Sequence, residues 1–265
     1  MSTPGVKRLV RCGEVVREHR ENAGYTQQQL ADLSYTAVST IQKIELGKRE
    51  PNRQVLRRIF DALDVFPLAQ DYLMSLADQP REVQERLLAD ETSEVQEQDL
   101  ALLDSLHHPA CIQRPATFNV VAANVEFYEM YPGIKEVGNA LYYHLLDPRA
   151  KYVVADWEAQ AQLFVSAFHC LAPALMTREK WDAMVRELST APEFVRMYKR
   201  RMPPNQFIQG RTTVTTRNPA TNSEQVWYRN VTTMIFPYQR STWYMSFHPV
   251  TPHPRHFGER GQNDG

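Results

Sequence analysis

Cysteine is scarce in this chain of 265 residues, and its three copies cannot staple it. Cys12, Cys111 and Cys170 are far apart, form no CxxC pair and are odd in number. That argues against a disulfide framework or a zinc site and makes a reducing cytoplasm the expected compartment. No apolar run approaches the roughly 18 residues of a membrane span, and the opening MSTPGVKRLVRCGEVVREH lacks the apolar core of a secretory signal. Catalytic signatures are missing as well: there is no GxSxG, no GxGxxG after a strand, no P-loop and no HExxH. The expectation is a protein that binds rather than catalyses, with no cofactor and no metal. The histidines of HPVTPHPRH (His248, His253, His256) lie among prolines near the end of the chain, and that stretch reads as a solvated tail.

What is present fits a globular protein, with 43% hydrophobic and 23% charged residues. The length allows one large domain or two modest ones. A net charge of −1 conceals an uneven distribution. Residues 1–58 hold eleven Lys/Arg against six Asp/Glu, whereas residues 79–105 hold two Arg against eight acids. A basic head followed by an acidic stretch implies that the head meets a polyanion and the rest does not.

The hydrophobic periodicity divides the chain. Five short helices fill residues 1–78, with Gly24 as a left-handed stop and Thr26 with Gln29 in the spacing of a capping box. An acidic, glycine-free helical connector follows over 79–106. From 107 to 257 the pattern is mixed: strands ACIQ and TFNVVAAN, a helical block, then strands in GRTTVTTRN, EQVWYRNVTTMIFPY and TWYMSFHPV. Residues 258–265 read as disordered. The fold class expected is therefore a five-helix all-α domain followed by an α+β domain.

The stretch GYTQQQLADLSYTAVSTIQKIELGKREP resembles the helix-turn-helix of the XRE/Cro phage-repressor family. Thr26-Gln27, Leu30-Ala31, Ser39-Thr40-Ile41, Ile44-Glu45, Gly47 and Pro51 carry the likeness. The resemblance implies a double-stranded DNA operator as partner. In such a motif the second helix lies in the major groove with its N-terminal residues at base edges. Val38, Ser39 and Lys43 would face bases with Gln42 beside them, since valine suits a thymine methyl and lysine suits guanine acceptors. Gln27, Lys48 and Arg49 would meet phosphate, with Thr36 and Thr40 completing the contacting set. The competing reading makes Val38 and Ser39 plain surface and Gln27 a cap residue. Arg20 and Glu45 match a pair that the family uses as an internal salt bridge.

The turn itself departs from the family. Tyr35 stands where the chain reverses, and Ala37, without a side-chain oxygen, stands at the next cap. Thr36 is expected to cap the recognition helix one residue early.

Beyond residue 106, the segments HPACIQ…TFNVVAAN, LLDPRAKYVVADWEAQAQ and MVRELSTAPEFVRMY resemble the MmyB-like ligand-binding domain, a PAS-like module of many actinobacterial regulators. The resemblance implies a small apolar ligand of the fatty-acid kind. Candidates for its lining are Phe118, Tyr142, Trp157, Phe164, Phe168, Trp227 and Met245, large apolar side chains of the sort a pocket needs. Each also has a plain reading as core. Phe164 and Phe168, one turn apart, are both expected to face the sheet. His144 and His169 are candidates for a polar head group, against the plainer reading of satisfied histidines. Two functions follow from these residues. One is a cytoplasmic, dimeric transcription regulator sensing an apolar ligand, with the connector as transmitter. The other is a DNA-binding regulator whose C-terminal half docks a small partner protein.

Overall fold

The computed structural model describes residues 12–65, 67–78, 95–200, 213–233 and 242–250. Five helices form the head: α1 (Cys12–Asn22), α2 (Gln27–Leu33), α3 (Val38–Glu45), α4 (Arg53–Ala62) and α5 (Pro67–Ala77). Val16, Leu30, Ile41, Ile59 and Leu73, one from each helix, are all buried. The α2 start carries the full capping box, with Thr26 Oγ1 accepting from Gln29 N–H and Gln29 Oε1 accepting from Thr26 N–H. Asn52 caps α4 through Val55 N–H.

Four turns of the head end helices in one way. In each, a residue with positive φ follows the helix: Gly24, Tyr35, Gly47 and Asp64. The next amide reaches back five residues, as in Tyr25 N–H to Arg20 O and Lys48 N–H to Lys43 O. That is the Schellman pattern, which satisfies the orphan carbonyls of a helix end. At Tyr35 (φ 51°) the bonds run from Thr36 N–H to Ala31 O at 2.8 Å and from Tyr35 N–H to Asp32 O at 3.3 Å. The turn keeps the usual geometry although a tyrosine fills the place that favours glycine.

Thr36 does not cap α3, contrary to expectation. The N-cap is Ala37, in extended conformation and with no side-chain bond, and the Thr36 hydroxyl donates to Ser34 O at 3.1 Å. Its oxygen lies one residue too early to meet the first-turn amides.

The second part begins with α6 (Glu97–Asp104), then β1 (Ala110–Gln113), β2 (Val120–Ala123), α7 (Val125–Met130) and α8 (Ile134–Val137). It continues with α9 (Ala140–Leu146), α10 (Pro148–Val153), α11 (Trp157–Leu175), α12 (Arg178–Leu188) and α13 (Pro192–Lys199). Strands β3 (Thr213–Arg217), β4 (Glu224–Thr233) and β5 (Trp243–Pro249) complete it. The five strands form one antiparallel sheet in the order β2-β1-β5-β4-β3. Alternation gives the sheet two faces. Cys111, Trp243, Met245 and Phe247 point into the large helical core, while Ala110, Ile112 and Ala122 meet Leu103 of α6 on the other side. Of the connector expected over 79–106, residues 79–94 lie outside the described residues, and α6 is seated on the outer face of the sheet. The tail expected over 258–265 also lies outside them, as do His253 and His256.

The two parts are packed together. Helices α1 and α5 of the head lie on α11, and the hydrophobic core runs without a break from Val16 to Phe168. Tyr72 of α5 meets Trp243 of β5 edge to face, with ring centroids 5.8 Å apart. Among the described residues, no helix is long and apolar enough to cross a membrane.

Candidate nucleic-acid interface and ligand site

Glu45 organises the α2–α3 pair. It is 3% exposed, and its carboxylate takes Arg20 Nε at 2.6 Å on one oxygen and Arg20 Nη2 at 3.0 Å on the other. The guanidinium fork matches the carboxylate geometry, and the bond holds the Arg20 pKa above its usual range. Gln27 donates to the same carboxylate at 2.8 Å, and Arg17 Nη2 donates to the Glu45 carbonyl at 2.7 Å. A buried carboxylate with this many donors is well satisfied. The Arg20–Glu45 pair stands as expected, and Gln27 proves to be part of the same network.

With Ile41, Ile44 and Glu45 turned inward, α3 leaves Ser39, Gln42 and Lys43 exposed on its other side. Lys48 and Arg49 are exposed in the following loop, where Arg49 Nη1 donates to Thr40 Oγ1 at 3.3 Å. Val38, Thr36 and Thr40 are half-buried, and Val38 packs on the core. Behind this face α1 and α3 nearly touch: a Cβ at Gly13 would lie 2.0 Å from Ile44 O. The stripe Ser39-Gln42-Lys43, with Lys48 and Arg49 at its end, offers hydrogen-bond donors and positive charge on a rigid helix. That is what base edges and phosphates require.

The candidate lining residues of the second part do not all share one neighbourhood. Phe118 is buried in the β1–β2 loop with φ 60°, and its ring meets Phe164 (5.5 Å) and Trp243 (6.4 Å). Phe164 is half-buried and also packs on His144 at 4.5 Å. Phe168 goes elsewhere. Its ring meets Phe194 and Tyr198 of α13, so the two phenylalanines of α11 contact different layers rather than one sheet face. Met245 is buried on β5 between Cys111 and Val231. Trp157 donates Nε1–H to His144 O at 2.6 Å, with Lys151 Nζ over its ring. Tyr142 donates its hydroxyl to Glu187 at 2.7 Å, on the α9–α12 side. Trp227 is half-buried on β4 and donates to Thr216 Oγ1 at 2.8 Å.

His144 is 4% exposed, and its Nδ1 lies 2.8 Å from Ala140 O. A carbonyl can only accept, so Nδ1 carries the hydrogen and Nε2 holds a lone pair. Burial pushes the His144 pKa down to about 4, and the Arg229 charge adds to that. His169 is half-buried beside Tyr198, at 5.2 Å.

Sequence reasoning passed over a polar cluster between β4 and the start of α11. Arg229 shares the inner face of β4 with Trp227 and Val231, because strand residues alternate. Its Nη1 donates to Gln160 Oε1 at 3.0 Å, and Gln160 is fully buried. Gln160 Nε2 in turn donates to Asp156 Oδ2 (2.7 Å) and Thr213 O (3.0 Å), while Thr215 N–H donates to Asp156 Oδ1. Burial lowers the Arg229 pKa, and Tyr131 and Asp156 act against that. The alternation of EQVWYRNVTT was the available signal, since it places an arginine on the face of a tryptophan.

A basic helix-turn-helix head packed on a PAS-ordered sheet domain defines a two-part, DNA-binding regulator. Comparison with protein families agrees. The MmyB-like transcription regulator ligand binding domain matches residues 95–245, and a helix-turn-helix family matches residues 16–68. The chain belongs to the MmyB-like transcription regulators, which carry a ligand-binding domain. These are regulator and binding families, not enzyme families. No curated protein compared with the chain matches it.

Proposed function

We propose that this regulator is cytoplasmic and dimeric, reads a specific operator, and changes its DNA affinity when a small apolar, fatty-acid-like ligand occupies the second domain. Gln27, Thr36, Val38, Ser39, Thr40, Gln42, Lys43, Lys48 and Arg49 are the proposed DNA-contacting set. Within it, Ser39, Gln42 and Lys43 read bases, while Lys48 and Arg49 meet phosphate. The observation that carries the reading is the seat of the head: α1 and α5 rest on α11, the helix that also bears Trp157 and Phe164. A ligand shifts DNA affinity only through its different affinity for two arrangements of the protein. A route for such a shift runs from His144 through Phe164, Phe118 and Trp243 to Tyr72 of the head, ring against ring. The packed helix α11 therefore replaces the connector as the proposed transmitter.

Gel-shift titrations on operator variants test the DNA half. Lys43→Ala should change the preferred sequence, whereas Gln27→Ala should weaken all operators alike. Binding should also fall steeply with salt. Equal losses for both variants on every operator would defeat the assignment. Exposed Val226 and Tyr228 on β4 favour a second reading, a docking surface for a small partner protein. Native mass spectrometry of protein purified from its own host separates the two. A lipid-sized extra mass supports sensing, and a bound polypeptide supports docking.

A further inference from the structure

We propose that Tyr35 is a DNA-backbone contact: its phenol hydroxyl donates to a phosphate at the edge of the groove that α3 enters. This rests on the reading that α3 lies in the major groove, and it adds a residue that serves DNA at the expense of the fold.

The argument starts from an anomaly. Among the described residues, five other than glycine have positive φ: Tyr35, Asp64, Ala116, Phe118 and Asn222. Aspartate and asparagine enter the left-handed region readily, because a short polar side chain can bond locally there. Ala116 and Phe118 are 0% and 1% exposed, so the packing around them holds the strained backbone. Neither account covers Tyr35. It is bulky, and at 85% exposure it gains little from packing. Gly24 and Gly47 close equivalent turns of the head without that strain. A residue that strains the fold and rests on so little of it serves something outside the fold.

The position of Tyr35 names the partner. It lies three residues before Val38, the first residue of α3. Three residues span at most about 10 Å, and the major groove is about 12 Å wide. With the start of α3 at base edges, Tyr35 falls at the rim of the groove, where the phosphates run. Its neighbours in the turn are engaged within the chain: the Ser34 hydroxyl donates to Leu30 O at 2.7 Å, and the Thr36 hydroxyl donates to Ser34 O at 3.1 Å. Residues 1–58, with eleven Lys/Arg against six Asp/Glu, suit a polyanion. Tyrosine is among the side chains that donate to phosphate oxygens, and its rigid ring loses little freedom in doing so.

The test uses the full-length protein and two duplexes of equal length and composition. One is selected from a random pool by the wild-type protein, and the other is a shuffled version of it. Fluorescence anisotropy titrations and melting curves compare wild type with Tyr35→Phe and Tyr35→Gly. Tyr35→Phe keeps the ring and the backbone strain but lacks the hydroxyl. Its Tm should match that of wild type, and its affinity should fall about tenfold, as for one hydrogen bond to a charged group. The loss should be the same on both duplexes, because a phosphate carries no sequence information. The dependence of affinity on salt should keep its wild-type slope, since a phenol displaces no counterion, whereas Lys48→Ala should reduce it. Tyr35→Gly should combine a similar loss of affinity with a higher Tm, a pairing that damage to the fold does not produce. Undiminished binding by Tyr35→Phe overturns the assignment and leaves the DNA reading of α3 standing. A loss confined to the selected duplex means a base contact and overturns the choice of phosphate. A changed mass in solution with unchanged affinity places Tyr35 between subunits and overturns the assignment as well. If wild type enriches no sequence and binds neither duplex, the assignment falls together with the groove reading beneath it.

Discussion

Replacing Tyr35 with glycine should stabilise the protein. Tyr35 is held at φ 51° by the two Schellman bonds, and the residue is 85% exposed. An L-residue in the left-handed region costs roughly 1–2 kcal/mol, because Cβ crowds the following carbonyl. Removing Cβ relieves that strain, and an exposed ring has little packing to lose. Against the gain stands the extra freedom that glycine gives the unfolded chain, about 0.4–1 kcal/mol. The net expectation is about 0.5–1 kcal/mol in favour of Tyr35→Gly. For a chain of this size that is a rise in Tm of about 2 °C, within reach of scanning calorimetry. Tyr35→Ala is the control: it removes the ring and keeps Cβ, so its Tm should stay close to that of wild type. A lower Tm for both variants would mean that the ring contributes packing, and the strain argument would then be wrong.

Gly13→Ala should act in the opposite direction. Alanine favours a helix by about 1 kcal/mol over glycine, but its Cβ would meet the Ile44 carbonyl at 2.0 Å, and backbone cannot swing aside as a side chain can. The α1–α3 contact must open, so a fall in Tm of several degrees and weaker operator binding are expected from melting curves and gel shifts. The pH dependence follows from His144. Its folded pKa, about 4, lies below the ordinary value of 6.5, so the unfolded chain takes up a proton that the folded one refuses. Stability is therefore complete above about pH 6.5 and is lost as pH falls toward 4, by up to about 3 kcal/mol. Urea titrations between those limits should show the loss, and His144→Gln should flatten it.

Much of the head was legible because its signals are local. A capping box and a glycine stop each constrain a few neighbouring residues and appear where the sequence puts them, whereas the Arg20–Glu45 pair, 25 residues apart, was legible only through the family resemblance. Thr36 misled because a hydroxyl one residue before the N-cap finds the Ser34 carbonyl closer than the helix amides. In the second part the strands were readable from alternation, but the neighbours of each aromatic ring were not. Helix α11 is covered on several sides, so Phe164 and Phe168, a single turn apart, reach different layers. Arg229 was hidden among more conspicuous aromatic residues, although its parity with Trp227 was there to be read. The seat of the head on α11 joins elements roughly 90 to 150 residues apart, and no local pattern encodes such a contact.

That seat has a thermodynamic consequence. Because one apolar core runs from the head helices through α11 to the sheet, neither part can melt without stripping cover from the other. Reader and sensor therefore belong to a single cooperative unit, whose calorimetric and van't Hoff enthalpies should agree. Any molecule that stiffens the sensor adds to the stability of the reader by the same linkage.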